Sequence, residues 1–170
     1  MTADARRLIL LRHAKSAWPD VPDVQRPLAP RGLRDAPKVG RWLRHAGVVP
    51  DRVVCSTARR TRETWKLVAH ELAAKPPVAY DERLYDANSE ELLDVVRETP
   101  AEVGILLLVG HNPGIQELTL ALAGSGVGDA VERAREAFPT SALAVLSLPG
   151  EWAATESGCA RLIDLTVPRG

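Results

Sequence analysis

Short apolar runs of strand length alternate with amphipathic segments of helix length along this chain, and this alternation is the strongest constraint on its fold. The run VGILLLV, residues 103–109, is apolar at nearly every position, which is typical of a strand buried on both faces of a sheet. Strand patterns fall at 7–12, 51–55, 103–109, 142–148 and 160–166, with a weaker one at 78–80. Helical patterns fall near 32–46, 58–74, 89–98 and 113–123.

This order predicts an α/β protein: a single three-layer domain over residues 1–170, with helices on both faces of a largely parallel central sheet. A length of 170 residues suits one domain with a well-developed core. Residues 19–30 hold four prolines and predict a loop packed over the surface. The segment AGSGVGD, residues 123–129, predicts a flexible glycine-rich link.

The composition disfavours several classes of protein. No apolar run approaches the roughly 18 residues that span a bilayer, so we expect no membrane partner. The first residues, MTADARRL, lack the apolar stretch of a signal peptide, so we expect a cytoplasmic location. Cys55 and Cys159 show no metal-ligand spacing, and we interpret them as reduced thiols.

The charges are unevenly distributed, although the formal net charge is zero. Residues 1–66 hold 15 Lys or Arg against 6 Asp or Glu, a balance of +9, and residues 67–170 hold 7 against 16, a balance of −9. This asymmetry predicts a basic site for an anionic ligand, unless the two halves merely attract each other after folding. The neutral total and the scarcity of aromatic residues argue against a nucleic-acid partner. We predict packing roles for the four tryptophans and surface positions for two histidines: Trp18, Trp42, Trp65, Trp152, His45 and His70.

Charged side chains follow several of the predicted strands. Arg12 and His13 come directly after the run LILL, where their desolvation would cost free energy unless they are paired. The segment ILLLVGHNPG leads from the central strand to His111, and DERLYDANSEEL places Asp86 in a loop before a helix. In open α/β sheets, ligands bind at the carboxyl ends of the strands, which is where these side chains fall.

The segment VVCSTARRTRET, residues 53–64, leads from a strand into a helix. Ser56 and Thr57 are good N-cap residues for that helix. Asn112 is a good N-cap residue for the helix at 113–123, with Pro113 at its start. The early part of the helix predicted at 58–74 carries three arginines: Arg59, Arg60 and Arg62. At least two arginines and two histidines are therefore predicted to meet at one edge of the sheet.

Each of these residues also has a structural interpretation. A histidine after a strand is more often a hydrogen-bonded structural residue, and an arginine in a first helical turn is usually solvated or ion-paired. Their convergence at one edge favours a phosphate site. The sequence has no GxxxxGK[ST] loop and no cluster of acids for magnesium, so we expect no metal and no cofactor.

Such a set of side chains can transfer a phosphoryl group. A neutral imidazole can attack phosphorus and form a phosphohistidine, which divides one difficult step into two easier ones. Two guanidinium groups and a second, protonated imidazole can hold the non-bridging oxygens. A carboxylic acid can protonate the leaving oxygen and then take a proton from the attacking water.

The sequence resembles the histidine phosphatase, or phosphoglycerate mutase-like, superfamily, and within it the SixA-type phosphohistidine phosphatases. LLRHAKSAW resembles the family's Arg-His signature, with Ala14 where glycine is usual, a variant common in the SixA-type branch. Ser56, Arg60 and Thr64 match the next motif, and GHNPG matches the second-histidine motif. RPLAPRG, residues 26–32, resembles the early substrate loop, and FPTSALAVL, residues 138–146, resembles the late strand of this branch.

The resemblance implies a phosphatase that uses neither metal nor organic cofactor. It implies His13 as nucleophile, Asp86 as acid and base, and three phosphoryl-binding residues: Arg12, Arg60 in preference to Arg59, and His111. It also implies that Arg26 contacts phosphate. Three further residues are candidates for the rim of the site, although each is about as consistent with a structural role: Lys15, Ser16 and Asn112.

The substrate stays open at this stage. The chain is too short for the lid of sugar-phosphate members, so we expect an open, shallow site that admits the surface of a protein bearing phosphohistidine. The alternatives are a nucleotide or another small phosphate monoester, and a non-catalytic phosphate-binding module of the same fold. A mutase is least expected because it needs a closed site. The most compact phosphohistidine phosphatases of this type lack the acid, and the presence of Asp86 distinguishes this chain from them.

Overall fold

Strands and helices alternate along the chain in the computed structural model, which describes residues 5–168. The strands are β1 (Arg6–Arg12), β2 (Arg52–Cys55), β3 (Val78–Tyr80), β4 (Ile105–Gly110), β5 (Ala123–Gly126), β6 (Leu143–Leu148) and β7 (Ala160–Thr166). The helices are α1 (Pro30–Ala46), α2 (Arg59–His70), α3 (Ser89–Arg97), α4 (Gly114–Leu122) and α5 (Ala130–Glu136). Residues 1–4, on which the expected absence of a signal peptide partly depends, lie outside the described residues.

The strands form one mixed sheet of seven in the order β3-β2-β4-β1-β6-β7-β5. At its centre β1 runs parallel to β4, with Arg12 opposite Gly110, and β2 runs parallel to β4 on the other side. Of the described strands only β6 runs against the rest, because it pairs antiparallel with both β1 and β7. The predicted largely parallel sheet is confirmed.

Helices cover both faces of this sheet. Alternate residues of β1 face opposite sides, so Leu8 and Leu10 join one apolar core and Ile9 and Leu11 join the other. The first core includes residues of α3, α4 and α5, and the second includes residues of α1 and α2. The predicted three-layer α/β architecture is confirmed, and it brings the ends of β1, β2 and β4 to one edge.

The prediction of a flexible link at 123–129 is wrong. Its first four residues form β5, which pairs parallel with β7 at the edge of the sheet. A Cβ on Gly124 would lie 2.1 Å from the carbonyl oxygen of Gly158, so this glycine permits a close backbone approach. Residues 127–129 form a turn that leads into α5, a helix that the sequence analysis left unassigned.

Several smaller predictions can be compared with the structure. No helix within residues 5–168 is long and apolar enough to cross a membrane. Cys55 and Cys159 are free thiols, and His45 and His70 are exposed, as predicted. Trp65 and Trp152 are buried and Trp42 is half-buried, but the packing role predicted for Trp18 is wrong because 76% of that residue is exposed.

Candidate active site

His13 lies directly after β1, where its backbone N–H donates to the Gly110 carbonyl at the end of β4. Its ring is buried, and Nδ1 lies 2.7 Å from the Ala14 carbonyl oxygen. A carbonyl can only accept, so Nδ1 carries the proton and the lone pair lies on Nε2. Burial lowers the pKa of His13 to about 4, and the positive charges of Arg60 and Arg12 act in the same direction, against the hydrogen bond to Ala14. The ring is therefore neutral at pH 7.

Thr64 fixes the backbone beside this histidine. Its Oγ1 accepts the Ala14 N–H at 3.0 Å and donates to the Arg60 carbonyl at 2.7 Å. Thr64 and Ala14 are both fully buried, so this hydroxyl is the partner of an amide that has no access to water. The hydrogen bond joins the segment after β1 to the second turn of α2.

His111 follows β4, and its ring centroid lies 5.3 Å from that of His13. Its Nε2 is 2.8 Å from Ser56 Oγ, and its buried Nδ1 has no hydrogen-bond partner among the described residues. Burial, then the charges of His13 and Arg60, lower the pKa of His111 to about 3. Desolvation therefore favours the neutral ring of His111. The protonated second imidazole expected to hold the phosphoryl oxygens stays a prediction.

Two arginines lie beside the histidines. Arg60, in the first turn of α2, is buried and donates through both Nη atoms to Asp23, to the carbonyl at 2.8 Å and to the carboxylate at 3.1 Å. Arg12 donates to the Phe138 carbonyl at 2.9 Å, while its buried Nε has no partner among the described residues. Burial lowers the pKa of Arg12. The neighbouring Arg59 is exposed and pairs with Glu63, so it is Arg60 that faces the site.

Asp23 is a site residue that the sequence analysis missed. Its carboxylate accepts hydrogen bonds from Arg26 at 3.0 Å, from Arg60 at 3.1 Å and from the Tyr85 hydroxyl. The hydrogen bond from Tyr85, followed by that from Arg26, holds the pKa of Asp23 well below its usual range. Asp23 is therefore ionised and orients Arg60. The only local signal is its position three residues before Arg26.

Arg26 supports this arrangement from beneath the proline-rich loop. It is buried, and it donates to the Ala17 carbonyl at 3.0 Å and to Ser16 Oγ at 2.6 Å. Its guanidinium carbon lies 3.3 Å from the centre of the Trp18 ring. The hydrogen bonds of Arg26 therefore go to Ser16, Ala17 and Asp23, all within the loop that carries Asp23. Lys15 is exposed.

Asp86 lines a small cavity with Asp23, Arg60, Tyr85 and His111, and the cavity volume is about 100 Å³. Asp86 is exposed and has a φ of 56°, in the left-handed region. It does not cap α3, because the Asn88 side chain accepts the Glu91 amide and forms a capping box. Its carboxylate is therefore not engaged as a helix cap.

The predicted N-caps can be compared with those in the structure. The N-cap of α2 is Ala58, and the side chain of Ser56 instead contacts His111. The N-cap position of α4 is Pro113, but the Asn112 side chain accepts the Gln116 N–H in the first turn of α4 at 3.2 Å, so the predicted capping by Asn112 is confirmed. Asn112 donates to the Phe138 carbonyl at 3.0 Å, the same oxygen that receives Arg12, and it lines the cavity beside His111.

A buried neutral imidazole lies beside a second imidazole and two guanidinium groups at the carboxyl ends of parallel strands, an arrangement suited to an α/β enzyme that binds an anionic group. The family model of the histidine phosphatase superfamily (branch 1) matches residues 8–141. The chain belongs to this superfamily, and it is a phosphatase.

Similar proteins cover almost the whole chain. An uncharacterized protein of Mycobacterium tuberculosis is 46% identical over 162 residues, which are 94% of this chain and 100% of that protein. The putative phosphohistidine phosphatase SixA from Nakamurella multipartitia is 34% identical, with a TM-score of 0.87 and 100% of both chains covered. The SixA structure from Agrobacterium tumefaciens is 32% identical, with a TM-score of 0.81 and coverage of 98% of this chain and 100% of that chain. These neighbours place the chain in the SixA-type branch.

Proposed function

We propose that this phosphatase removes phosphoryl groups from histidine side chains of proteins, through a covalent phosphohistidine on His13 and without a metal ion. The observation that carries the proposal is the state of His13: a buried, neutral ring with its proton held on Nδ1 by the Ala14 carbonyl. This leaves the Nε2 lone pair free for attack. A residue with a purely structural role has no need of this arrangement beside two guanidinium groups.

In the first step, Nε2 of His13 attacks phosphorus, a P–N bond forms, and the P–N bond to the substrate imidazole breaks. The substrate imidazole leaves as the neutral ring because it carries its own proton. Arg12 and Arg60 stabilise the charge on the non-bridging oxygens. Ser56 Oγ accepts the Ala58 N–H and can donate its own proton to Nε2 of His111, which leaves an Nδ1–H on His111 as a further donor.

In the second step, water attacks the phosphohistidine and regenerates Nε2 of His13 as inorganic phosphate forms. A carboxylate can assist by taking a proton from that water, and Asp86 is exposed in the same cavity as His111 and Arg60. Asp23 is occupied by three donors and stays ionised, so it positions Arg60 and does not supply a proton.

The size of the cavity favours a protein substrate. The cavity beside His111 and Arg60, about 100 Å³, does not enclose a nucleotide or a sugar. A phosphoryl group carried on a protein surface needs no such enclosure. The similarity to two structures named as putative SixA phosphohistidine phosphatases supports the same substrate class.

A phosphatase of small phosphate monoesters is the second candidate. The observation that favours it is Asp86 in the cavity, because an alkoxide leaving group needs a proton and a neutral imidazole does not.

The test is a comparison of kcat/KM on a histidine-phosphorylated protein domain, p-nitrophenyl phosphate, nucleotides and sugar phosphates, with His13→Asn as control. We expect the highest value on the phosphohistidine domain and no turnover by His13→Asn. A nucleotide or sugar phosphate that is hydrolysed more efficiently than the phosphohistidine domain would assign the enzyme to small esters.

A further inference from the structure

A groove of about 680 Å³ runs along the outer face of α2, beside the candidate active site. We name it the basic groove and define it by four cationic and two aromatic residues: Arg59, Arg62, Lys66, Lys75, Trp65 and Tyr80. The catalytic chemistry described above uses none of these side chains. The groove lies at the β3–β2 edge of the sheet, and it includes three of the 15 basic residues of the positive segment 1–66: Arg59, Arg62 and Lys66.

The cations of the basic groove are largely unneutralised. Arg59 pairs at 2.9 Å with Glu63, which also lines the groove, but Arg62, Lys66 and Lys75 have no ion pair with any residue of the described range 5–168. All three are exposed. Uncompensated positive charge along one concave surface attracts an anionic partner and accelerates its association.

The spacing of these cations fits an extended chain better than a single phosphate. Arg59, Arg62 and Lys66 follow one another along one face of α2 and span about 10 Å of helix, and Lys75 lies beyond its end. Phosphate recognition requires donors that converge on one point, whereas acidic side chains of an extended peptide recur along a line. Tyr80, 49% exposed, adds an apolar wall against which a peptide backbone can pack.

The basic groove begins beside the phosphoryl site. Thr57 lines the groove and directly follows Ser56, the partner of His111. Arg59 and Arg60 are neighbours in the first turn of α2, with Arg59 at the groove and Arg60 in the phosphoryl cavity. A polypeptide whose phosphohistidine enters the cavity can therefore lay an adjacent segment along α2.

We propose that the basic groove docks an acidic segment of the substrate protein next to its phosphohistidine. This inference rests on the proposed function, because the docked segment and the phosphoryl group belong to one polypeptide. It assigns substrate selection to α2 and leaves bond cleavage to the side chains around His13.

The test uses two histidine-phosphorylated peptides that differ only in whether four residues on each side of the histidine are glutamate or glutamine. Wild-type enzyme is compared with the double variant Arg62→Glu/Lys66→Glu. The control is Arg135→Glu/Arg161→Glu, which changes the charge equally with two exposed arginines of α5 and β7, near the opposite edge of the sheet.

We expect wild-type kcat/KM to be about tenfold higher on the glutamate peptide, mainly through KM, and to fall with added salt. The groove variant should lose this preference and keep wild-type activity on p-nitrophenyl phosphate, while the control variant keeps both. Equal kcat/KM on the two peptides, or a preference that survives in the groove variant, would overturn the docking proposal.

Binding of the unphosphorylated peptides, followed by fluorescence anisotropy, separates docking from catalysis. Tight, groove-dependent binding of the glutamate peptide by an enzyme that hydrolyses neither phosphopeptide would refute the proposed function and keep the groove as an acidic-peptide site. Groove-dependent binding of a mononucleotide without any preference for glutamate would replace the peptide by a nucleotide and overturn the proposal.

Discussion

Thr64→Val removes the hydrogen bond between Thr64 and Ala14 and leaves the shape of the side chain almost unchanged. The valine fills the same volume, but the buried Ala14 N–H loses its partner at 3.0 Å. A buried donor left unpaired costs about 1–3 kcal/mol of folding stability. Ala14 also supplies the carbonyl that holds His13 Nδ1, so we expect kcat to fall together with stability.

Thr119→Val is the matched control. Thr119 is also fully buried in a helix, and its Oγ1 donates to the carbonyl four residues before it, Ile115, at 2.9 Å, just as Thr64 donates to Arg60. No amide outside its own helix donates to it within the described residues. The difference between the two variants therefore isolates the hydrogen bond to Ala14.

Urea denaturation gives the free energies of unfolding, and melting curves should show a shift of about 2–4 °C for each kcal/mol in a chain of this size. Thr64→Val should be the less stable variant by about 1–3 kcal/mol and the only one with reduced kcat. Equal stabilities, or an unchanged kcat in Thr64→Val, would refute the role given to this threonine.

Three further predictions concern charge and protons at the site. Arg60→Ala should lower kcat/KM on p-nitrophenyl phosphate by the equivalent of about 2.7–4 kcal/mol of transition-state stabilisation, as for the loss of an oxyanion donor. Arg59→Ala should cost much less, and the reverse order would move the phosphoryl contact to Arg59. Asp86→Asn should lose about 10²–10⁴-fold in kcat/KM on an alkyl phosphate but much less on phosphohistidine, because kcat/KM reports the steps up to phosphoryl transfer to His13 and a neutral imidazole leaves without an added proton. Its melting temperature should be unchanged because Asn88 caps α3. An equal small loss on every substrate would exclude Asp86 as the acid. The lowered pKa of His13, about 4, means that its nucleophilic neutral form persists as the pH falls well below 6.5. An NMR titration of the His13 imidazole with its midpoint near pH 6.5 would contradict this.

The edge that carries the site was predictable because the strands are short, apolar and interrupted by polar residues at their ends. Arg12 opposite Gly110 in the register of β1 and β4 brings His13 and His111 together, as the ends of parallel strands require. Their ring centroids lie 5.3 Å apart although 98 positions separate the two residues in the chain.

Asp23 was not predictable because its partners are remote in sequence. It contacts Arg60, 37 residues away, and Tyr85, 62 residues away, through a proline-rich loop whose path no local pattern encodes. The edge strand β5 was missed for a different reason. Its glycines read as a flexible link, whereas Gly124 is needed for close approach to Gly158.

The central claim is that His13 carries the phosphoryl group during turnover, and acid or alkaline quenching of a reaction with radiolabelled substrate tests it most directly. We predict a labelled protein whose phosphate is labile in acid and stable in alkali, as expected for a phosphohistidine. The label should map to His13 and be absent from His13→Ala, which should not turn over substrate. Wild-type turnover without such an adduct, together with substantial activity in His13→Ala, would contradict the claim.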